Sequence, residues 1–184
     1  DSYFTSLETL YNMNIELLST VKRRGNGWDA DGVQKEDFRR FRPSEEIIEN
    51  LYVELKNYWD GLLKTLPVLR NKPIDMRDHN ATDDSGTEDS IFFWPIGQEL
   101  LVQVARKLLD RQADPDNSTP ASIEKALQPL KNINHNFKDL PWRHLVLIPD
   151  DQDWTVWKIR NEDRPKAINL AMRIVLWQIG LDQL

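Results

Sequence analysis

The amino-acid sequence predicts a mainly α-helical domain of about five helices with a small β-hairpin near the C-terminus. Two observations favour this fold class. Apolar residues recur at three- and four-residue steps over long segments, which is the spacing of one helix face. A late pair of short apolar runs is separated by turn-forming residues, which is typical of a hairpin. With 184 residues, 40% of them hydrophobic, the chain is long enough for a single helical domain over residues 1–184.

The first two helices are predicted from their apolar faces and from the residues at their ends. The first runs over residues 3–21 and stops before Gly25 and Gly27. Its apolar face contains Phe4, Leu7, Leu10, Tyr11, Ile15, Leu18 and Val21. The second begins after the N-cap residue Ser44 and ends just before Pro67. Its apolar face contains Ile48, Leu51, Tyr52, Leu55, Trp59, Leu62 and Leu66.

The middle of the chain predicts two more helices. A dense apolar cluster over residues 91–95 leads into the third helix. Its inward face contains Ile96, Leu100, Leu101, Val104 and Leu108. A short fourth helix is expected to begin with Thr119 as its N-cap and Pro120 at its first position, and to end at Leu130.

The C-terminal third predicts the hairpin and the last helix. Residues 144–148 and 154–159 are expected to be strands, and the acidic connector between them supplies the turn. The last helix is expected to start at the cap Asp163, with Pro165 in its first turn, and to stop at Gly180. Its inward face contains Ile168, Ala171, Val175 and Ile179, widened by Leu170, Ile174 and Trp177.

Composition narrows the function classes. The absence of cysteine excludes disulfides, a thiol nucleophile and thiolate metal sites, and it fits the cytoplasmic location that we expect. No run approaches the ~18 apolar residues that span a bilayer, so no membrane association is expected. The net charge of −6 argues against a uniformly basic nucleic-acid-coating protein, although a local basic patch can still contact DNA. Because the chain begins with Asp1 and enters a helical pattern almost at once, we expect it to be the C-terminal part of a longer protein.

The sequence carries no recognised catalytic motif. The nucleophile elbow, the P-loop, the dinucleotide-binding glycine pattern and the zinc-binding HExxH pattern are all missing. His79, His135 and His144 are far apart, so catalysis by histidine would need the fold to bring distant residues together. We therefore predict no catalytic residue and no cofactor. One enzyme hypothesis stays open, in which this chain is the accessory part of an enzyme whose active site lies in a missing N-terminal half.

An acidic stretch over residues 75–89 is the candidate for a metal site. It contains Asp75, Asp78, His79, Asp83, Asp84, Glu88 and Asp89. Carboxylates with an imidazole can hold a hard cation, but the EF-hand pattern fails because Asp83 stands where glycine is needed. We therefore predict a solvated, mobile acidic loop and no metal site.

Two basic regions are candidates for contacting DNA phosphates. The first lies between residues 22 and 42 and mixes arginines with Trp28, Phe38 and Phe41, a combination that contacts phosphates and stacks on bases. Acidic residues in the same stretch weaken the positive electrostatic potential of this region. The alternative is therefore a surface loop whose aromatic rings pack against the core. The second lies near the start of the last helix, where backbone N–H groups favour anions. The predicted nucleic-acid-binding residues are Arg23, Arg24, Arg39, Arg40, Arg42, Arg160 and Arg164.

Five of the seven tryptophans are candidates for a binding surface, namely Trp94, Trp142, Trp154, Trp157 and Trp177. We favour the alternative that these large rings join the hairpin and two helices in one core.

Several short segments follow one another in a recognisable order. They are Phe4-Thr5-Ser6-Leu7, Tyr58-Trp59, Ile96-Gly97-Gln98-Glu99, Leu130-Lys131-Asn132-Ile133-Asn134 followed by Trp142, Arg160-Asn161 and Ile179-Gly180-Leu181. This order resembles the C-terminal region of the DndB-like, DGQHR-domain proteins of bacterial DNA phosphorothioation systems. The DGQHR signature itself is absent, and His135 stands where a tryptophan is usual.

The resemblance implies a DNA-binding transcriptional repressor of the modification genes, with an upstream domain that carries the DGQHR signature. The partners to expect are DNA, that upstream domain, other subunits of a DNA-modification system, or a second copy of the chain. None of the matched motifs is catalytic, so the resemblance transfers no catalytic residue. The acidic total charge favours a second hypothesis, a protein-interaction or scaffold domain whose helical faces dock another domain or subunit.

Overall fold

The computed structural model describes residues 4–19, 44–71, 89–112, 119–160 and 163–181, apart from the side chain of Arg164. Within these ranges the protein is mainly helical with a small antiparallel hairpin near the C-terminus, as predicted. The long helices are α1 (Leu7–Leu18), α2 (Glu45–Thr65), α3 (Pro95–Asp110), α4 (Pro120–Leu127) and α5 (Arg164–Gln178). The strands are β1 (Leu147–Pro149) and β2 (Trp157–Ile159). Short helical turns cover Pro67–Arg70, Ile91–Phe93, Gln128–Asn132 and Trp142–Leu145.

Helix α3 is the centre of the fold. It contacts α1, α4 and α5, and it also contacts the turn Ile91–Phe93. The residues that it buries are Ile96, Gly97, Gln98, Leu100, Leu101, Val102, Val104, Ala105, Leu108 and Leu109. The predicted inward face is therefore confirmed and is wider than expected, because a helix covered by neighbours on several sides buries more than one stripe.

Two glycines allow helices to approach their neighbours closely. A Cβ atom on Gly97 would lie 1.9 Å from the backbone oxygen of Ile91, so α3 can contact the preceding turn at this point because Gly97 has no side chain. A Cβ atom on Gly61 of α2 would lie 2.6 Å from Cγ2 of Ile123 in α4. Each glycine therefore sets the distance between two elements of the core.

Helix α1 begins four residues later than predicted. The Oγ atom of Ser6 accepts a hydrogen bond from the backbone N–H of Thr9 at 3.1 Å, so Ser6 is the N-cap. Its buried face also differs, since Leu7 is 84% exposed whereas Met13 and Leu17 are almost completely buried. The reason is that α1 contacts both α2 and α3, and these contacts select which apolar residues are covered.

The predicted start and end of α2, the start of α4 and the end of α5 are confirmed. Helix α4 stops at Leu127, not at the predicted Leu130, and the short helical turn Gln128–Asn132 follows it. Ser44 precedes α2, and Thr119 caps α4 by accepting a hydrogen bond from the backbone N–H of Ser122. After α5, Gly180 has a positive φ of 74°, which favours glycine. The backbone N–H of Leu181 then donates to the carbonyl oxygen of Leu176 at 2.7 Å and satisfies the end of the helix.

The hairpin is shorter than the two predicted strands. Leu147 pairs with Ile159 and Pro149 pairs with Trp157. His144 lies outside β1 because its φ of 73° is in the left-handed region, which a strand cannot contain. Trp154 lies in the turn that connects the two strands. In the same turn, the backbone N–H and the hydroxyl of Thr155 both donate hydrogen bonds to Oδ1 of Asp153.

Candidate functional site

An open apolar groove lies between α1, α2 and Leu69, with a volume of about 470 Å³. Its walls include Phe4, Leu10, Tyr52, Leu55, Trp59 and Leu63. We call this feature the α1–α2 groove. Its size falls within the range of roughly 300–1,000 Å³ that is usual for binding sites.

The groove exists because α2 carries more apolar residues than the core covers. The residues that α2 turns to the core are Leu51, Tyr58 and Leu62, which are at most 6% exposed. The sequence predicts Tyr52 on the same apolar face as Leu51 and Leu62, but the structure leaves its side chain 61% exposed at the groove. Trp59 is half-buried in the groove wall. The groove side of α2 is displaced from its core side by about a quarter turn of the helix.

A hydrogen bond across the groove fixes the ring of Trp59. Its Nε1–H donates to Oδ1 of Asn14 at 2.9 Å, and the two residues are 45 positions apart in the sequence. The polar atom of the indole is therefore satisfied inside the protein, and the apolar part of the ring lines the groove.

The other wall is fixed by the buried side chain of Gln98. Its Nε2–H donates to the backbone oxygen of Phe4 at 2.8 Å, and the hydroxyl of Thr5 donates to its Oε1 at 2.7 Å. The ring of Phe4 also packs edge-on against Phe93, with centroids 5.4 Å apart. Both walls are thus held by the core before any ligand binds.

Among the described residues, Lys56 is the charged residue that lines the groove. Lys56 donates to Asp60 at 2.7 Å, and this hydrogen bond lowers the pKa of Asp60 and raises the pKa of Lys56. The positive charge of Lys56 is therefore already paired. Glu45 and Glu49 lie on the same face of α2, toward its start, and both are exposed.

A second polar cluster lies at the base of the hairpin. The guanidinium of Arg143 lies 4.5 Å from the ring centroid of Trp157, a cation–π distance. The ring of His144 meets the same Trp157 edge-on at 5.2 Å. Nη2 of Arg160 donates to the carbonyl oxygen of His144 at 3.3 Å. The role of Arg143 has no local signal in the sequence, because its contact with Trp157 depends on how the hairpin folds.

The predicted phosphate contacts fall mostly outside the part of the chain that the structure describes. This applies to Arg23, Arg24, Arg39, Arg40 and Arg42, and to the side chain of Arg164. Arg160 is half-buried, and its buried Nε has no acceptor among the described residues. Its role in contacting DNA stays a prediction.

The acidic stretch is described at its last residue alone, since residues 75–88 lie outside the described ranges. Asp89 is 3% exposed, and its Oδ1 accepts a hydrogen bond from Nε1 of Trp94 at 3.1 Å. Its backbone oxygen accepts from Phe137 at 2.8 Å. The prediction of a solvated loop is therefore wrong for Asp89, which links two buried segments. Within the described residues, histidine, aspartate and glutamate form no group that could hold a metal ion.

The tryptophans divide into core and surface residues. Trp142 is fully buried, and its Nε1–H donates to the backbone oxygen of Asn134 at 2.6 Å. Trp94 and Trp157 are half-buried against the core. The prediction that all five rings belong to the core is wrong for Trp154 and Trp177, which are 77% and 54% exposed. Apolar composition alone cannot indicate whether a neighbouring element covers a ring.

Fold and site together define a mainly helical domain with a preformed apolar groove between two of its helices. None of the helices in the described ranges is both long and apolar enough to cross a membrane. No protein-family model, curated protein or solved structure matches this chain.

Proposed function

We propose that this chain is a protein-interaction domain that docks a helical segment of a partner protein in the α1–α2 groove. The observation that carries the proposal is the exposure of aromatic and aliphatic side chains in a concave site, with Tyr52 61% exposed beside Trp59. Contiguous exposed apolar surface marks interaction sites, and tyrosine and tryptophan are enriched among the residues that dominate binding energy.

The walls of the groove favour a helical partner segment. Both α1 and α2 satisfy their backbone hydrogen bonds internally, so they offer no strand edge to which an extended peptide could pair. A segment that enters the groove has to satisfy its own backbone N–H and C=O groups. A helix does this, and its apolar side chains can then fill the space beside Tyr52 and Trp59.

Site-specific cross-linking in the host cell tests this proposal. A photoreactive phenylalanine analogue replaces Tyr52 in the full chain, and the matched control carries it at Trp177, which is 54% exposed on α5. We expect an adduct from position 52 whose peptide map places the cross-link in a helical segment of a partner. If position 52 gives no adduct above the level of position 177, the docking function is refuted.

The function that the family resemblance implies, a DNA-binding regulatory module of a phosphorothioate modification or defence system, is favoured by a different observation. Arg143 lies over Trp157, and Arg160 contacts the neighbouring residue His144. Arginine and aromatic side chains together are suited to contacting a nucleic acid. A salt series tests the hypothesis, because the logarithm of DNA affinity falls linearly with the logarithm of salt concentration. An Arg143→Ala variant that binds DNA as the wild type does would remove this cluster from the interface.

Charge reversal at Arg39 and Arg40 tests the other basic region in the same assay. Those residues lie outside the described ranges. If both charge-reversed variants keep the wild-type affinity and salt slope, the basic region between residues 22 and 42 does not contact DNA.

A further inference from the structure

We propose that the helix docked in the α1–α2 groove carries one carboxylate side chain within its apolar face, and that Asn14 and Lys56 bind this group. The proposal rests on the proposed function and adds the polar group by which the groove selects its partner. It follows from the polar side chains of the groove wall, which are Asn14, Tyr52 and Lys56. The hydroxyl of Tyr52 can donate or accept a hydrogen bond, whereas the other two offer donors.

The contact with Trp59 determines what the amide of Asn14 can offer to a ligand. An indole Nε1–H donates and cannot accept, so the atom of Asn14 that receives it has to be the oxygen. The distance from Nε1 to Oδ1 is 2.9 Å. The Nδ2 group of the same amide carries two N–H donors, and it has no acceptor among the described residues. Because Asn14 lines the groove, a docked segment meets N–H donors that the hydrogen bond to Trp59 holds in place.

Lys56 adds a positive charge to the same wall. It lies one helical turn before Trp59, so the two side chains are neighbours on α2. An ammonium group has three N–H donors, and the hydrogen bond to Oδ2 of Asp60 at 2.7 Å uses one of them. The side chains of Lys56 and Asp60 are 59% and 44% exposed, and exposed pairs of this kind are weak. The ammonium therefore keeps donors for an acceptor on the ligand.

A carboxylate matches these donors better than the other side chains that a helix can present. An ionised carboxylate only accepts hydrogen bonds, and bonds to a charged group are roughly twice as strong as those between neutral groups. Lysine and arginine side chains only donate, so they would leave Asn14 without an acceptor and would place a like charge beside Lys56. A wholly apolar face would cover the Asn14 N–H groups without any partner, which is unfavourable.

The acidic residues at the start of α2 limit the preference to one position of the partner. Glu49 and Glu45 precede Lys56 by seven and eleven residues, which places them about 10 and 16 Å away along the helix axis. Exposed charges separated by more than about 8–10 Å are largely screened at physiological salt. A single carboxylate at Lys56 is therefore compatible with both glutamates, whereas a helix that is acidic along its whole length is not.

Synthetic helices that differ at one position test the proposal. Fluorescent peptides of about 14 residues share a leucine face and neutral flanks, and they carry glutamate, glutamine or lysine at the centre of that face. Fluorescence anisotropy follows their binding to the full chain. At low salt we expect the glutamate peptide to bind about threefold more tightly than the glutamine peptide and at least about tenfold more tightly than the lysine peptide. The preference for glutamate over glutamine should shrink at about 0.5 M salt, because screening weakens exposed charges.

Variants of Asn14 and Lys56 assign the preference to these residues. Asn14→Asp keeps an oxygen for the N–H of Trp59 but replaces the N–H donors with a second, charged acceptor. It should weaken the glutamate peptide at least about tenfold without weakening the lysine peptide. Lys56→Met keeps an apolar stem and should weaken the glutamate peptide about threefold. Lys64→Met is the matched control, because Lys64 pairs with Glu124 and does not line the groove, and it should leave the affinity unchanged. Circular dichroism checks that each variant keeps the helical fold.

Several outcomes overturn the proposal. Equal binding of the glutamate peptide and either of the other two would remove the carboxylate, and absence of saturable binding by all three would remove the helix that carries it. Equal effects of Lys56→Met and Lys64→Met would remove Lys56 from the site. A partner helix that is mapped by the cross-link from position 52 and has no aspartate or glutamate on its apolar face would overturn the proposal while the docking function stands. Failure of the docking function itself is recognised separately, by the absence of that cross-link.

Discussion

Replacing Gly97 with alanine is expected to destabilise the domain far more than the addition of one methyl group at an open position. The new Cβ would lie 1.9 Å from the backbone oxygen of Ile91 and 2.5 Å from its carbonyl carbon. Backbone atoms cannot avoid the clash by changing rotamer, so the turn Ile91–Phe93 and α3 have to move apart. That turn is fully buried, and the movement opens packing around it.

The magnitude follows from two opposing terms. Overpacking in a core typically costs about 1–3 kcal/mol and occasionally more, and the 1.9 Å contact with a backbone atom places Gly97→Ala above this range, at roughly 3–5 kcal/mol. Alanine regains at most about 1 kcal/mol over glycine in a helix. We therefore expect Gly97→Ala to lower the free energy of unfolding by roughly 2–4 kcal/mol, and the melting temperature by roughly 5–15 °C for a chain of this size.

Urea and thermal unfolding monitored by circular dichroism measure this loss. Gly180→Ala is the control, because no atom lies within 4 Å of its new Cβ and its cost comes from the positive φ of 74° alone. That conformational cost is about 1–2 kcal/mol. If Gly97→Ala costs no more than Gly180→Ala, the close approach of α3 to the turn is refuted.

Three further predictions concern buried polar groups, tryptophans and pH. Gln98→Met should lower stability by about 1–3 kcal/mol, because it removes the hydrogen bonds that the buried amide of Gln98 makes with Phe4 and Thr5. Trp142→Phe should lower the free energy of unfolding by about 1–3 kcal/mol, because Trp142 is fully buried. Trp154→Phe should change it by less than about 0.5 kcal/mol, because Trp154 is exposed. Chemical unfolding of both variants measures the difference. Hydrogen bonds from Thr155 lower the pKa of Asp153 in the folded protein. The ionised carboxylate therefore stabilises the turn fully above the unfolded-state pKa of about 4. This stabilisation is lost as the pH falls through the lower pKa of the folded state.

The pH prediction has its own control and measurement. NMR signals of the exposed indole of Trp154 follow the turn during an acid titration. Asp153→Asn removes the titrating group. In this variant the NMR signals of Trp154 should no longer show the transition assigned to the Asp153 carboxylate. A transition that persists unchanged in Asp153→Asn would show that another group opens the turn.

Helix positions could be predicted from the sequence because their causes are local. Thr119 and Gly180 act through backbone groups within a few residues of themselves, and Pro67 restricts the residue before it. The inward face of α3 was also predictable, because a helix surrounded by neighbours buries nearly every apolar residue.

The groove could not be predicted, because its causes are not local. A periodic pattern places Leu51, Tyr52 and Leu62 on one broad side of α2, but it does not show which of them a neighbouring helix covers. The hydrogen bond that fixes Trp59 comes from Asn14, 45 residues earlier. The contact of Arg143 with Trp157 likewise depends on the path of the chain through the left-handed residue His144. Among the described residues, the site is a product of tertiary structure.

The segment around α1 is far in sequence from the residue on α3 that it contacts. The contacts of this segment therefore form at different times during synthesis. Thr5 meets Gln98 across 93 residues, whereas Asn14 meets Trp59 across 45. At typical ribosomal rates of about 5–20 residues per second, α1 waits roughly 5–20 s for α3 to be made. The partner on α2 arrives in about half that time. The two walls of the groove can therefore meet on the ribosome before the central helix exists, and a chaperone has its best opportunity to bind in that interval.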